Sequence, residues 1–239
     1  MSETAIARSV LAEQVKDSLL EAILSGRYPP GSRIVETKAA REFGTSQAPV
    51  REALRGLEAL GVVEILPFRG ARVRHPTAGE LLEAYAVRFE LEALGARLGV
   101  PRMTAGDLAS LVEAYDAMQR HAALGDRHAV AMMDAEFHAR IVRLARNATL
   151  ERVWHSLEPL SRTYITLIVP GADAQWSADL HRPVLDALRR GDPELVVEAL
   201  RRHFEDASAM LREGWTDDEP SSGRRRRRAV SRPRRGASA

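Results

Sequence analysis

Four side chains with metal-ligand chemistry stand at suggestive spacings in the second half of the chain: Asp134 and His138 in MDAEFHARI, His181 in DLHRPVLDAL and His203 in ALRRHFEDA. Residues four apart on a helix project from one face about one turn from each other, so Asp134 and His138 can converge on a single ion. The pattern puts His181 and His203 on the last two helices, which an antiparallel bundle can bring face to face with that pair. Three imidazoles and one carboxylate suit a divalent zinc, nickel, manganese or iron ion and leave positions open for an oxygen ligand. From spacing alone a plainer description also stands. The chain has 7 histidines, a helical histidine is commonly a surface or satisfied core residue, and the neighbouring Met133, Phe137 and Ile141 read as core.

A second concentration of chemistry lies in residues 31 to 75, GSRIVETKAAREFGTSQAPVREALRGLEALGVVEILPFRGARVRH. A helix is expected from Val35 to Phe43, ended by Gly44 in the left-handed conformation that glycine adopts freely. Ser46 can cap the next helix, and Pro49 falls in its first turn, where the missing N–H costs nothing. On that helix Val50, Ala53, Leu54 and Leu57 share one face, while Gln47, Ala48, Arg51, Glu52 and Arg55 share the other. The apolar face packs and the polar face is free to enter a major groove. Beyond Gly61 the branched run Val62, Val63, Ile65 and Leu66, a turn at Pro67 to Gly70, and alternating Ala71, Val73 and His75 give a two-stranded hairpin with arginines at its tip and return strand. Helix, turn, helix and basic hairpin together make a winged helix-turn-helix. The bland alternative is a small helical core with an incidental hairpin and a solvated charged face.

The elements that must position these residues follow from the rest of the pattern. Leu11, Val15, Leu19, Ala22 and Ile23 form one face of a helix over residues 10 to 25, a scaffold behind the reading pair. After Pro76 six helices are expected, over residues 79–98, 104–124, 126–146, 149–168, 173–190 and 193–213, with short connections that favour an antiparallel bundle. Asn147 reads as the cap of the fourth. The expected organisation is a DNA-reading unit at 8–76, an all-helical unit at 77–213, and a disordered basic tail at 214–239 ending in SSGRRRRRAVSRPRRGASA.

Composition narrows the class. The 239 residues are 45% apolar and 5% aromatic, as suits a mainly helical protein of two units. No cysteine is present, so disulfides and thiolate metal sites are excluded. The net charge of +2 hides an asymmetry: residues 1–76 carry 11 Lys/Arg against 9 Asp/Glu, residues 77–213 carry 16 against 21, and the tail carries 8 against 3. Basic character thus sits at the reading end and the tail. The first residues lack a leader-like apolar core and no stretch approaches a bilayer span, so a cytoplasmic protein without membrane contact is expected.

The stretch PPGSRIVETKAAREFGTSQAPVREALRGLEALGVVEILPFRGARV resembles, along its whole length, the DNA-binding signature of the GntR family of bacterial transcription regulators. That resemblance implies DNA contacts from the start of the reading helix and from the wing tip, here Ser46, Gln47, Ala48, Arg51, Arg69 and Gly70, with Gly70 letting the wing backbone approach the minor groove. Many relatives have arginine where this chain has Gln47. Arginine favours guanine and glutamine favours adenine in bidentate readout, so base preference at that step is open. Farther on, EAYAVRFELEALGARL, DAEFH, RNATLERV and HRPVLDALRRGDPELVVEALRRHFEDA resemble the FCD effector-binding domain of the FadR and VanR branches. Many such domains bind a metal through an Asp, a His four residues later and two His on the last two helices, which carries over to Asp134, His138, His181 and His203.

The resemblance further implies a homodimer reading a pseudo-palindromic double-stranded operator, and a small carboxylate effector that completes the metal shell and meets a basic side chain. Arg88 is the first candidate for that contact, with a salt bridge to Glu92 as its plain alternative; Arg162 and Tyr164 follow. The expected function is therefore a transcription regulator, a repressor, and not an enzyme. Two rivals are a metalloenzyme with a DNA-binding appendage, for which Glu136 is the only nearby base and points away, and an architectural DNA binder using the arginine tail.

Overall fold

The computed structural model describes residues 3–67, 69–167 and 173–215, and their side chains at 10–67, 69–157 and 173–215. Gly214 and Trp215, expected to open a disordered tail, instead end the last helix and pack, because the Trp215 ring is buried; residues 216–239, and the side chains of Arg162 and Tyr164, lie outside the described residues.

The N-terminal part runs α1 (Glu3–Leu24), β1 (Arg33–Ile34), α2 (Glu36–Glu42), α3 (Gln47–Ala59), β2 (Val63–Leu66) and β3 (Gly70–Val73). Val15, Leu19 and Ile23 of α1 pack on Val50, Ala53, Leu54 and Leu57 of α3 in one apolar core, and Ala22 is buried as well. Leu11, expected on the same face, is 37% exposed, because α1 begins more than a turn before that core. Helix α2 ends as its sequence dictates: Gly44 has φ +62°, and its N–H and that of Thr45 donate to the carbonyls of Arg41 and Ala40. The wing gains a strand over the expected hairpin. Its order is β1-β3-β2, all antiparallel, with Ile34 opposite Ala71 and Leu66 opposite Gly70. Two-residue β1 is too short to show alternation. Gly70 is required from inside the sheet: φ is +85°, and a Cβ there would lie 2.2 Å from the Ile34 carbonyl oxygen.

The remainder is helical: α4 (Ala78–Gly99), a single 3-10 turn at Val100–Arg102, α5 (Ala105–Ala123), α6 (Arg127–Leu144), α7 (Ala148–Leu167), α8 (Ala174–Asp179), α9 (Arg182–Arg190) and α10 (Pro193–Gly214). Side chains cap the starts. Thr77 with Glu80, and Thr104 with Asp107, form capping boxes on α4 and α5, and Asn147 Oδ1 accepts from the N–H groups of Thr149 and Leu150, each at 3.1 Å. The stretch 173–190, expected as one helix, is two. Pro183 lacks the N–H a continuous helix would donate to Asp179, so the chain turns at Leu180 and His181 and restarts as α9. Gly99 lets α4 approach α6, since a Cβ there would lie 2.3 Å from Leu144 Cβ.

Several contacts join this bundle to the N-terminal part, among them the ion pair of Arg74 with Glu80 of α4 and two ring contacts. At the start of α6, His128 Nε2 lies 3.0 Å from Glu21 Oε1 of α1. Just past α10, Trp215 stacks on His75, with ring centroids 5.2 Å apart and planes 17° from parallel. Among the described residues no helix is long and apolar enough to cross a membrane.

Candidate metal centre and DNA-reading face

Asp134 and His138 come from adjacent turns of α6, His203 from the middle of α10, and His181 from the break before α9. The ligand atoms of all four lie within 4.8 Å of one another, and all four side chains are buried. The break created by Pro183 is what turns His181 inward, where it is 0% exposed.

Outer hydrogen bonds decide which nitrogens face the centre. His181 Nδ1 is 3.0 Å from the Ser177 carbonyl oxygen, which can only accept, so Nδ1 donates and Nε2 is left with its lone pair. His138 Nδ1 is 2.5 Å from Glu92 Oε2 and donates there in the same way. The two Nε2 atoms then oppose each other at 3.1 Å, with Asp134 Oδ1 3.0 Å from that of His181. Such an arrangement calls for a cation between the lone pairs, a proton or a metal ion. An ion bonded at about 2.1 Å to each donor separates neighbouring donors by about 3.0 to 3.4 Å, so the donor set fits a divalent metal.

The electrostatics agree. Burial pushes Asp134 up, but the hydrogen bond with His181 and the electrostatic pull of the His138 and His181 rings and of the Arg88 guanidinium overcome it and hold the carboxyl well below the usual range. Burial, reinforced by His181 and His138, holds His203 well below an ordinary imidazole, so it is neutral near pH 7 and able to ligate. Its Nδ1 is buried without a hydrogen-bond partner.

Beside the ligands lies a cavity of about 20 Å³, lined among others by Tyr85, Arg88, Trp176, Leu180 and Met210. That is room for about one water-sized body. Arg88 is 2% exposed; its Nε donates to Glu92 Oε1 at 2.9 Å, and its Nη2, 4.0 Å from Asp134, has no hydrogen-bond partner. The expected salt bridge of Arg88 with Glu92 is thus formed, and one guanidinium nitrogen is left over. Sequence reasoning missed Tyr85 and Trp176. Tyr85, three residues before Arg88 on the same helical face, was open to recognition by spacing; Trp176, on a helix of six residues, was not. Glu136 pairs with Arg140 and Arg143, turned away from the centre as expected.

On the N-terminal part, Ser46, Gln47, Ala48 and Arg51 are exposed at the start of α3, and Arg69 is exposed at the wing. Ser46 occupies the cap position with extended backbone, but its hydroxyl makes no cap bond. Arg33, Gln47, Arg51, Arg55, Arg69 and Gly70 share a cleft of about 560 Å³ between α3 and the wing. Arg51 is held by Glu36 of α2, with Nη2 2.8 Å from a carboxylate oxygen. Arg33 Nε donates to the Arg69 carbonyl at 2.6 Å and so ties β1 to the wing turn. Arg33 was not expected here, since the strand that carries it gave no signal.

The family model for bacterial regulatory proteins of the gntR family matches residues 11–73, and the FCD domain model matches residues 83–206. A probable D-xylose utilization operon transcriptional repressor of Paenarthrobacter nicotinovorans is 37% identical over 198 residues, 83% of this chain and 87% of that protein. A gluconate operon transcriptional repressor of Bacillus licheniformis is 27% identical, with 90% of each chain covered. The crystal structure of a putative transcriptional regulator GntR from Rhodococcus sp. RHA1 superposes with a TM-score of 0.76 at 26% identity, covering 86% of this chain and 99% of that one.

Proposed function

Because this chain belongs to the GntR family of bacterial transcription regulators, in its FCD-bearing subset, and not to a family of enzymes, we propose that it is a repressor whose grip on DNA is set by a small carboxylate bound at a metal centre. As a homodimer it reads a pseudo-palindromic operator through Ser46, Gln47, Ala48, Arg51, Arg69 and Gly70. Asp134, His138, His181 and His203 hold the divalent ion, which when bound offers a Lewis-acidic position to an oxygen ligand.

The observation that carries this reading is the unpartnered Nη2 of Arg88, a residue that lines the cavity beside a four-donor metal set. The buried charges support it. Asp134 and Glu92 against Arg88 leave one net negative charge among the described buried side chains, with the imidazoles neutral. A divalent ion turns that into one net positive charge, and a monocarboxylate restores neutrality, the state least costly to bury. A kinship with a gluconate operon repressor makes sugar acids the first to try.

Space supplies the coupling. The space of about 20 Å³ open to a water-sized body among the described residues is tight for an acid of several heavy atoms, so in this reading binding displaces part of the wall. That wall includes Trp176 and Leu180, which precede His181, and Met210, five residues before the Trp215 ring that stacks on His75. An effector that favours the displaced wall therefore favours a different seat for the reading head, and ~1 to 3 kcal/mol of such preference changes operator occupancy about 5- to 150-fold. Metal content tests the centre: the wild-type chain should hold one ion, and His181→Ala should lose it while keeping basal DNA binding. Equal metal content in the two proteins would remove His181 from the centre.

A further inference from the structure

Glu92 is a fully buried carboxylate at 0% exposure, on α4, outside the four ligands. It accepts three N–H groups from three helices: Arg88 Nε of α4 and Trp154 Nε1 of α7, each at 2.9 Å to Oε1, and His138 Nδ1 of α6 at 2.5 Å to Oε2. A carboxylate that served only to balance Arg88 would need none of the imidazole contact. Resting on the metal reading above, we infer that Glu92 is a positioning residue for the metal centre: it fixes the His138 proton on Nδ1 and thereby turns the Nε2 lone pair toward the ion.

The hydrogen-bond inventory makes the consequence of an isosteric change specific. In Glu92→Gln one oxygen becomes an NH2 donor. Placed at Oε1, that donor meets both the Arg88 and Trp154 N–H groups, two donor-to-donor conflicts. Placed at Oε2, it meets only His138 Nδ1, and the conflict disappears if the ring proton moves to Nε2. The amide therefore takes the second orientation and drives His138 into the tautomer whose lone pair faces away from the centre. Loss of an outer partner of a metal-bound histidine weakens metal binding about 10- to 100-fold.

The test uses full-length protein with 15N-labelled histidine, metal-free, read by side-chain nitrogen NMR, followed by titration with zinc or manganese alone. Wild type should show His138 protonated at Nδ1, with Nε2 bare or sharing one proton with His181 Nε2. Glu92→Gln should show Nδ1 bare and Nε2 protonated, with metal Kd raised about 10- to 100-fold. A structural role alone would leave the tautomer unmoved. Wild-type His138 bare at Nδ1 overturns the inference without need of the variant, so a Glu92→Gln chain that fails to fold does not rescue it. An unchanged tautomer or an unchanged Kd in the variant also overturns it. If the tautomer switches as expected but wild type binds neither metal, the metal reading falls while Glu92's hold on the ring stands.

Discussion

Replacing Arg88 by lysine separates the charge of that side chain from its shape. Arg88 Nε lies 2.9 Å from Glu92 Oε1, a contact a lysine ammonium can take over because it extends about as far along the side chain. Charge balance beside the buried Glu92 and Asp134 is thereby kept. An Arg88→Met change would not keep it: unpairing a buried carboxylate costs about 3 to 5 kcal/mol and would confuse binding with folding. What lysine lacks is Nη2, the atom 4.0 Å from Asp134 with no hydrogen-bond partner, to which the proposed function assigns the incoming carboxylate. A lost hydrogen bond to a charged group is worth about 1.5 to 3 kcal/mol. At about 1.4 kcal/mol per tenfold, the carboxylate Kd should rise about 10- to 150-fold. The assay is calorimetric titration of metal-loaded wild type and Arg88→Lys with the best acid of a sugar-acid panel, with metal content measured on the same samples. An unchanged Kd at equal metal content would refute the assignment of Nη2 to the effector.

Two further changes probe the reading head and its link to the bundle. Arg51→Ala should leave fold and metal content intact and remove about 1 to 3 kcal/mol of base discrimination at each half-site. The surface pair it breaks with Glu36 is worth little by itself, since Arg51 is 52% exposed; competition binding of operator against scrambled DNA checks this, and a retained specificity ratio excludes Arg51 from readout. His75→Ala removes the ring stacked on Trp215, a contact worth about 0.5 to 1.5 kcal/mol, so carboxylate should bind as before while its effect on DNA affinity shrinks about 2- to 12-fold. Full release by the same acid would show that the coupling runs elsewhere.

The reading head was largely legible because each of its parts is local. Gly44 at the end of α2, Pro49 in the first turn of α3 and the apolar stripe Val50, Ala53, Leu54 and Leu57 all act within a few residues of themselves. Strand β1 was invisible for the opposite reason: two residues carry no period, and Ile34 is a strand residue only because β3 lies beside it. Asp134 and His138 were legible as an i, i+4 pair, but their meeting with His181 depends on a break set by Pro183, a residue whose place early in a helix is otherwise unremarkable. Glu92 showed the limit most plainly. Spacing offers Arg88 as its partner four residues back, whereas His138 and Trp154 reach it from other helices, the first across the close α4–α6 approach marked by Gly95 and Gly99.

The central claim is that metal and carboxylate act through one buried centre on DNA binding. It is tested most directly by fluorescence anisotropy of a labelled operator fragment, with the metal-free and metal-loaded protein, while a sugar acid is added. The account expects operator bound by the metal-loaded protein to be released by the acid, and the metal-free protein to release none at the same concentration. Release that is identical with and without metal, or no release by any carboxylate from fully loaded protein, would contradict it.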